Sequence, residues 1–400
     1  MGKSIKVKGF LKDVGGASRI TALRHQVIEN ASDVPQPKDF VRELADKLHP
    51  AKMEFKVVLI KDTSPTSKLF RLQSTDGHIP VFQAGQYINF RLRIGDSLLT
   101  RPYTISSAPY EARGENGYVE VTIRRNRPYL VPDYFFDNVK EGDILEANMP
   151  FGFFYWEPLR DSKNIVALAG GSGITPFLSM AREIAYGKMK GCHITIIYGS
   201  VNSSDIVLKE ELEAVEKDCS DVKVVHVLSD DPDWEGEKGF ITREIIEKYA
   251  GDDPTYMFCG PLVMYNLICK TMNEMGVRQK RFRHDVMNNP VDSTKIPGYP
   301  LGNETKTFSI TVVRGVEETV IPASGNEPVA VALERAAIPV DTHCRCGECG
   351  FCRTQLLEGE IFVSPMGDGR RMMDKEFGWF HACATYPTSD LKIKIPIIAE

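Results

Sequence analysis

The cysteines carry the sharpest chemistry in this 400-residue chain. Of nine, Cys344, Cys346, Cys349 and Cys352 fall within nine residues, and Cys383 follows further on. Thiols crowded into a chain of this size point to a metal or redox centre rather than to disulfides. Cys344-x4-Cys349-x2-Cys352 with a distant Cys383 is the spacing of a [2Fe–2S] site, which takes four thiolates. Zinc sites also use Cys-x2-Cys but usually pair two such knuckles, and only Cys349/Cys352 forms one here. Gly347 and Gly350 let the backbone turn tightly and aim its N–H groups at sulfur. Cys346 is surplus to the spacing and reads as a free thiol beside the cluster.

Two further stretches suit nucleotide cofactors. A flavin needs an aromatic surface, a hydrogen bond to its ring edge and a cation for its phosphate. In Arg101-Pro102-Tyr103-Thr104-Ile105-Ser106-Ser107, Arg101, Tyr103 and Thr104 offer these, although a strand holding an Arg and a Tyr is common. Gly170-Gly171-Ser172-Gly173-Ile174-Thr175-Pro176 lies between a buried-strand run and a helical run. Its glycines admit a pyrophosphate to the backbone, and the helix start supplies free N–H groups and partial positive charge. It is not the GxGxxG fingerprint, and alone such a turn can be purely structural. Cys259 alone reads as an ordinary buried cysteine.

Taken in order, these stretches resemble the ferredoxin–NADP reductase superfamily over roughly residues 52–400. Arg101–Thr104 is similar to its Arg-x-Tyr-Ser/Thr flavin signature, and Gly170–Pro176 to its Gly-Gly-x-Gly-Ile-x-Pro nucleotide loop. Cys259-Gly260-Pro261 with Met264 is similar to its Cys-Gly-Pro, where the cysteine lies beside the nicotinamide. HCRCGECGFCRTQLLEGEI and the later HACATYPTSDLKIKI resemble a plant-type ferredoxin domain of β-grasp fold. The resemblance implies that Tyr103 stacks on the isoalloxazine, Thr104 approaches its N5 and Arg101 holds phosphate, with Pro102 between them. It places the nucleotide against Gly170, Gly171, Gly173, Ile174, Thr175, Pro176, Gly260, Pro261 and Met264, with Thr104 and Cys259 at the reacting centre. It makes Cys344, Cys349, Cys352 and Cys383 the cluster ligands.

One stretch departs from that pattern. Where the superfamily has Gly-x-x-Ser cradling the flavin phosphates, this chain has Tyr129-Leu130-Val131-Pro132, and proline brings neither hydroxyl nor N–H. Val131 is then the residue at the phosphate turn, and FAD is expected with FMN left open. For the second cofactor the expectation is NADH, with NADPH open. Ser200 can hydrogen-bond either nucleotide, Val201 stands where resembling enzymes often have Arg, and Asp205 would repel a 2′-phosphate lying close.

The elements that must position these residues follow from periodicity. Short strands divided by turns, such as EFKVVLI, KLFRLQS, QYINFRLRI and GYVEVTIRR, suggest an antiparallel flavin-binding β-barrel over 51–158. From Asn164, strand and helix alternate, implying an α/β parallel-sheet NAD(P) domain over 159–285. Residues 286–305 are rich in Pro, Asn and Gly and suit a linker, before an α+β β-grasp ferredoxin domain over 306–400. Residues 1–50 form an extension of their own. It is expected to be broken by a turn at Gly15-Gly16 and by Pro35 and Pro37, with a helix over Asp39–Leu48.

Composition bounds the rest. A hydrophobic share of 42% with 26% charged residues is that of an ordinary soluble globular chain. A formal charge of −5 gives no general attraction to nucleic acid, and no apolar run is long enough to span a bilayer, so the expected location is the cytoplasm. The order flavin, nicotinamide, cluster implies an NAD(P)H oxidoreductase that delivers single electrons to a separate protein acceptor. Its rivals are direct reduction of quinone or another small acceptor at the flavin, and a non-enzymatic carrier or redox sensor.

Overall fold

The computed structural model describes residues 10–30, 39–125, 130–287 and 292–396. It divides into two units, Met1–Leu48 and His49–Glu400. The first holds two helices, α1 (Phe10–Glu29) and α2 (Phe40–Leu48). Gly15 and Gly16 lie inside α1 and make no turn. A helix-interior glycine costs only about 1 kcal/mol, which the good helix formers around it offset. Pro35 and Pro37 lie outside the described residues. Helix α2 forms where expected, with Glu43 in its first turn and Lys47 in its last complementing the helix dipole.

The second unit opens with six antiparallel strands: β1 (Met53–Ser64), β2 (Ser67–Ser74), β3 (Tyr87–Ile94), β4 (Ser97–Thr104), β5 (Val119–Arg124) and β6 (Ile144–Phe151). Their order is β4-β3-β6-β1-β2-β5, and an Ile105–Val121 bridge joins the two edges and closes the barrel just after the flavin motif. Alternate residues turn inward. Phe55, Phe70, Ile88 and Phe90 are fully buried, each contributing about 2 kcal/mol by leaving water. Helix α3 (Leu130–Asp137) plugs the barrel with Val131 and Phe135.

The next sheet is wholly parallel: β7 (Asn164–Gly170), β8 (His193–Ser200), β9 (Val222–Leu228), β10 (Glu237–Lys238), β11 (Thr255–Pro261) and β12 (Phe282–Met287), in the order β10-β9-β8-β7-β11-β12. Helices α4 (Thr175–Ala185), α5 (Lys209–Asp218), α6 (Arg243–Tyr249) and α7 (Leu262–Glu274) lie between its strands in the chain. Strands β7 and β11 are almost wholly buried, which is why they read as continuous apolar runs. The Thr242 hydroxyl caps α6 by accepting from Ile245 N. A buried ion network ties barrel to parallel sheet, with Arg182 of α4 at 2.8 Å from Glu120 of β5, which Arg71 of β2 also reaches at 2.8 Å.

The last sheet, β14-β13-β19-β15-β17, is mixed. It comprises β13 (Thr307–Arg314), β14 (Glu317–Ser324), β15 (Arg353–Glu358), β17 (Trp379–His381) and β19 (Leu391–Lys394), with β13 and β19 parallel. A small pair, β16 (Ile361–Val363) and β18 (Thr385–Pro387), stands beside it. Helices α8 (Val329–Arg335) and α9 (Met372–Glu376) complete this β-grasp arrangement. The segment 292–305 does not hang loose. Ile296 and Tyr299 are buried against Tyr386, and the Asn303 amide donates to Pro387 O at 2.7 Å. Residues 288–291 lie outside the described set.

Candidate functional site

Strand order in the parallel sheet reverses at β7, with β8 on one side and β11 on the other. Such switch points open a crevice at the strands' carboxyl ends, where ligands bind. Both nucleotide motifs end there: Cys259 of β11 stands in register with Ala169 of β7, one residue before Gly170. A Cβ on Gly173 would lie 2.1 Å from the Cys259 carbonyl oxygen, so only glycine lets the two loops cross. Gly170 in turn faces the Met264 sulfur and the Pro261 ring. Thr175 Oγ1 donates to Ser172 O at 3.1 Å, and Pro176 sits in the first turn of α4, where a missing N–H costs nothing. Ile174 is buried beneath the loop, and Ser200 closes β8 with its Oγ buried. Burial, and then Asp285, push the Cys259 thiol far above its ordinary range, so it stays protonated. Asp205 does not face the crevice freely. It is paired with Arg124 of β5 and accepts from Thr66 Oγ1 at 2.5 Å.

In the barrel, β4 pairs with β3 so that Tyr103 stands opposite Ile88 and Thr104 opposite Tyr87. The Tyr103 ring meets Phe90 edge-on at 6.0 Å and Phe135 at 5.8 Å. Arg101 Nη1 donates to Thr100 O at 2.7 Å and lies 3.0 Å from Glu334 of α8. Val131 does not present its side chain to a ligand; it is buried in the barrel core, leaving only the backbone at the start of α3. Tyr129 lies outside the described residues.

The cysteine loop runs from α8 to β15 and turns on Gly347, whose φ is +87°. A Cβ there would lie 1.9 Å from Gly367 O. His381, buried at the end of β17, hydrogen-bonds the Gly347 carbonyl at 2.5 Å. Cys349 N donates to the Cys344 sulfur at 3.4 Å, and Cys344, Cys346, Cys349, Cys352 and Cys383 lie near enough to perturb one another's ionisation. Among the described residues, no three His, Cys, Asp or Glu side chains are arranged around one metal ion. The pairs Cys344/Cys349 and Cys352/Cys383 suit instead a binuclear centre in which each iron takes two thiolates, so the donor set fits a [2Fe–2S] cluster.

This loop is set directly on the barrel. Asn89 Nδ2 of β3 donates to Thr342 O at 3.0 Å, and the Thr100 and Thr342 hydroxyls are hydrogen-bonded. His343 stacks on Phe351 at 3.7 Å and meets Phe151 of β6 edge-on at 4.3 Å. Tyr87 is the common neighbour: burial, then Cys349, Cys344 and Asp285, drive its phenol pKa up. Asp285 of β12 stands beside Cys259, and burial, with Glu348 and Cys344 nearby, raises its carboxyl to about 6. The barrel, the parallel sheet and the cysteine loop thus meet around Tyr87 and Asp285. Sequence reasoning missed both, as well as His343 and Glu334. The signal for Asp285 was a carboxylate in a strand that closes a buried sheet.

Fold and site define a class: an oxidoreductase with flavin, nicotinamide-nucleotide and [2Fe–2S] domains in one chain. Residues 53–156 match the oxidoreductase FAD-binding domain family, 167–270 the oxidoreductase NAD-binding domain family and 312–388 the 2Fe-2S iron-sulfur cluster binding domain family. The chain belongs to the ferredoxin–NADP reductase superfamily, in its form with a C-terminal plant-type ferredoxin domain. It is 31% identical over 199 residues to NADH-cytochrome b5 reductase 1 of Dictyostelium discoideum, covering 49% of this chain and 68% of that one. It is 24% identical over 330 residues to the glycine betaine monooxygenase reductase subunit of Pseudomonas aeruginosa, covering 78% and 87%. Among solved structures, phthalate dioxygenase reductase shares the fold with a TM-score of 0.64 at 21% identity, covering 86% of this chain and 98% of that one.

Proposed function

We propose that this chain is an NADH-preferring reductase that feeds single electrons to a separate protein acceptor, such as an oxygenase, a demethylase or another reductase component. One observation carries the reading: the cysteine loop is packed on β3 and β4, the strands of the flavin motif, through Asn89, Thr100 and Thr342. A bound flavin accepts hydride and releases electrons singly, and a [2Fe–2S] cluster takes one at a time. The chain's residues supply placement. Tyr103 stacks on the ring system, Thr104 approaches its edge from the opposite face of β4 beside Pro102, and Arg101 holds phosphate. Gly170, Gly171 and Gly173, with the start of α4, cradle the pyrophosphate, while Gly260, Pro261 and Met264 floor the nicotinamide pocket beside the protonated Cys259. Cys344, Cys349, Cys352 and Cys383 hold the cluster. Direct reduction of a small acceptor at the flavin would need no such loop against the barrel.

Two relatives support the acceptor class: a glycine betaine monooxygenase reductase subunit by sequence, and a phthalate dioxygenase reductase by fold. Among the described residues no helix is long and apolar enough to cross a membrane, and we place the protein in the cytoplasm. The reading predicts that anaerobic NADH bleaches both flavin and cluster absorption and raises the electron paramagnetic resonance (EPR) signal of a reduced cluster. Flavin bleaching with a cluster that stays oxidised would refute it.

A further inference from the structure

Glu334 is only 1% exposed, on a helix of the ferredoxin domain, yet both its oxygens are spoken for by arginines of other elements. Arg101 of β4 reaches Oε1 at 3.0 Å and Oε2 at 3.3 Å. Arg345, one residue beyond Cys344, reaches Oε1 at 2.5 Å and Oε2 at 3.1 Å. Arg345 also donates to Thr342 Oγ1 at 2.9 Å and to the barrel carbonyl of Thr100 at 3.3 Å. Its backbone takes φ +55°, a left-handed conformation that is strained for an arginine and persists only where the surroundings impose it. Burial works against the charge on Glu334, but Arg345 and Arg101 outweigh it and hold the carboxyl low.

We propose that Glu334 is a positioning residue that ties the flavin-motif guanidinium of Arg101 to the cluster-loop guanidinium of Arg345. Flavin binding and cluster-loop geometry are thereby coupled. The charge count supports this. Two arginines on one carboxylate leave the buried triad one positive charge in excess, which is costly unless anions stand on its flanks. On one flank Arg345 faces the sulfurs of Cys383 and Cys352. On the other, among the described residues Arg101 uses Nη1 alone, on Thr100 and Glu334, and a guanidinium has five N–H donors, leaving others for a phosphate. Any free energy that the flavin phosphate gains by orienting Arg101 is shared through Glu334 with Arg345, and the coupling is reciprocal.

The proposal rests on Arg101 as the flavin-phosphate residue, and the test separates the two. Holoenzyme is diluted and released FAD is read by its fluorescence for wild type, Arg101→Gln, Glu334→Gln and Arg345→Gln. Glu327→Gln, which breaks an ion pair with Arg335 in the ferredoxin domain, is the control. Arg101→Gln, Glu334→Gln and Arg345→Gln should each weaken FAD retention roughly ten- to hundredfold, the loss of one charge-assisted hydrogen bond. Reduced-cluster EPR should shift in Glu334→Gln at full spin count, which also certifies folding. Loss of FAD in Arg101→Gln with wild-type retention in the other two leaves the phosphate role standing and overturns the coupling. Wild-type retention in Arg101→Gln removes the phosphate role itself. Tighter retention in Glu334→Gln would mean that the carboxylate acts only by repelling phosphate, and overturns the proposal as well.

Discussion

At the scale of residues, the four proposed cluster cysteines differ in what surrounds them. Cys352 and Cys383 are buried in the ferredoxin core, whereas Cys349 is exposed on the loop. Each is required for a four-thiolate site, so Cys344→Ala, Cys349→Ala, Cys352→Ala and Cys383→Ala should each abolish the visible cluster absorption. Cys346→Ser should keep full iron content, although Cys346 touches Cys344. Iron that stays full in Cys383→Ala would sink the assignment. These cysteines were legible in the sequence because cluster chemistry fixes their spacing. Asp285 was not, because its environment comes from three separate elements. Its carboxyl is raised from 3.8 to about 6 by burial, then by Glu348 and Cys344. A raised acid contributes stability that is fully present below its unfolded value and lost as pH rises through the folded one. Asp285→Asn mimics the protonated form. Its Tm should therefore gain on wild type as pH rises from about 4 to about 6, and a constant difference across that window would refute the shift.

At the scale of elements, apolar runs and strand–helix alternation made the barrel and the parallel sheet legible. Strands β4 and β6, helix α7 and strand β12 were harder. They carry Arg, Asn, His and Asp at positions whose burial or pairing depends on neighbours remote in sequence. The crossing of the two nucleotide loops was also invisible, since it depends on an absent side chain. Gly173→Ala would set a methyl against the Cys259 carbonyl, backbone against backbone, with nothing flexible to yield. It should lose NADH-driven flavin reduction while keeping cluster absorption. Gly170→Ala meets mainly the movable Met264 side chain and should be milder. The proposed preference for NADH points to the turn after β8. Asp205, pinned by Arg124, is a weaker deterrent to a 2′-phosphate than its sequence position implied, which leaves the preference to Val201, half exposed on that turn. Val201→Arg should raise kcat/KM for NADPH relative to NADH by about tenfold, the scale of one added phosphate contact. An unchanged ratio would clear that position of any role.

At the scale of the whole molecule, the mixed charges around the cysteine loop in sequence separate into two populations. Arg345 is no surface charge: it lies in the triad between ferredoxin domain and barrel. Glu348, Cys349, Phe351, Met372, Met373 and Phe377 are exposed. The segment before α9 abuts the loop, since a Cβ on Gly369 would lie 2.6 Å from Glu348 O. Nearby charges largely cancel, with Arg370 and Lys375 on Asp368 and Arg353 on Asp374. A partner docking there meets an apolar surface with the exposed carboxylate of Glu348 beside it, so electrostatic steering is modest and added salt should slow acceptor reduction only a few-fold. Reversing charge at the two loop positions should then give different results, although both flank the cysteines. Glu348→Lys should slow reduction of the acceptor protein several-fold while reduction of ferricyanide by NADH, which needs no docking, stays near wild type. Arg345→Glu would place two carboxylates together in the buried contact with Arg101 alone to balance them, and should lose FAD and disturb the cluster before any docking defect could be seen. Stopped-flow traces of acceptor and ferricyanide reduction, with FAD content measured on the same samples, distinguish the two. Equal loss of both reductions in Glu348→Lys, at full FAD and iron, would place the docking surface elsewhere.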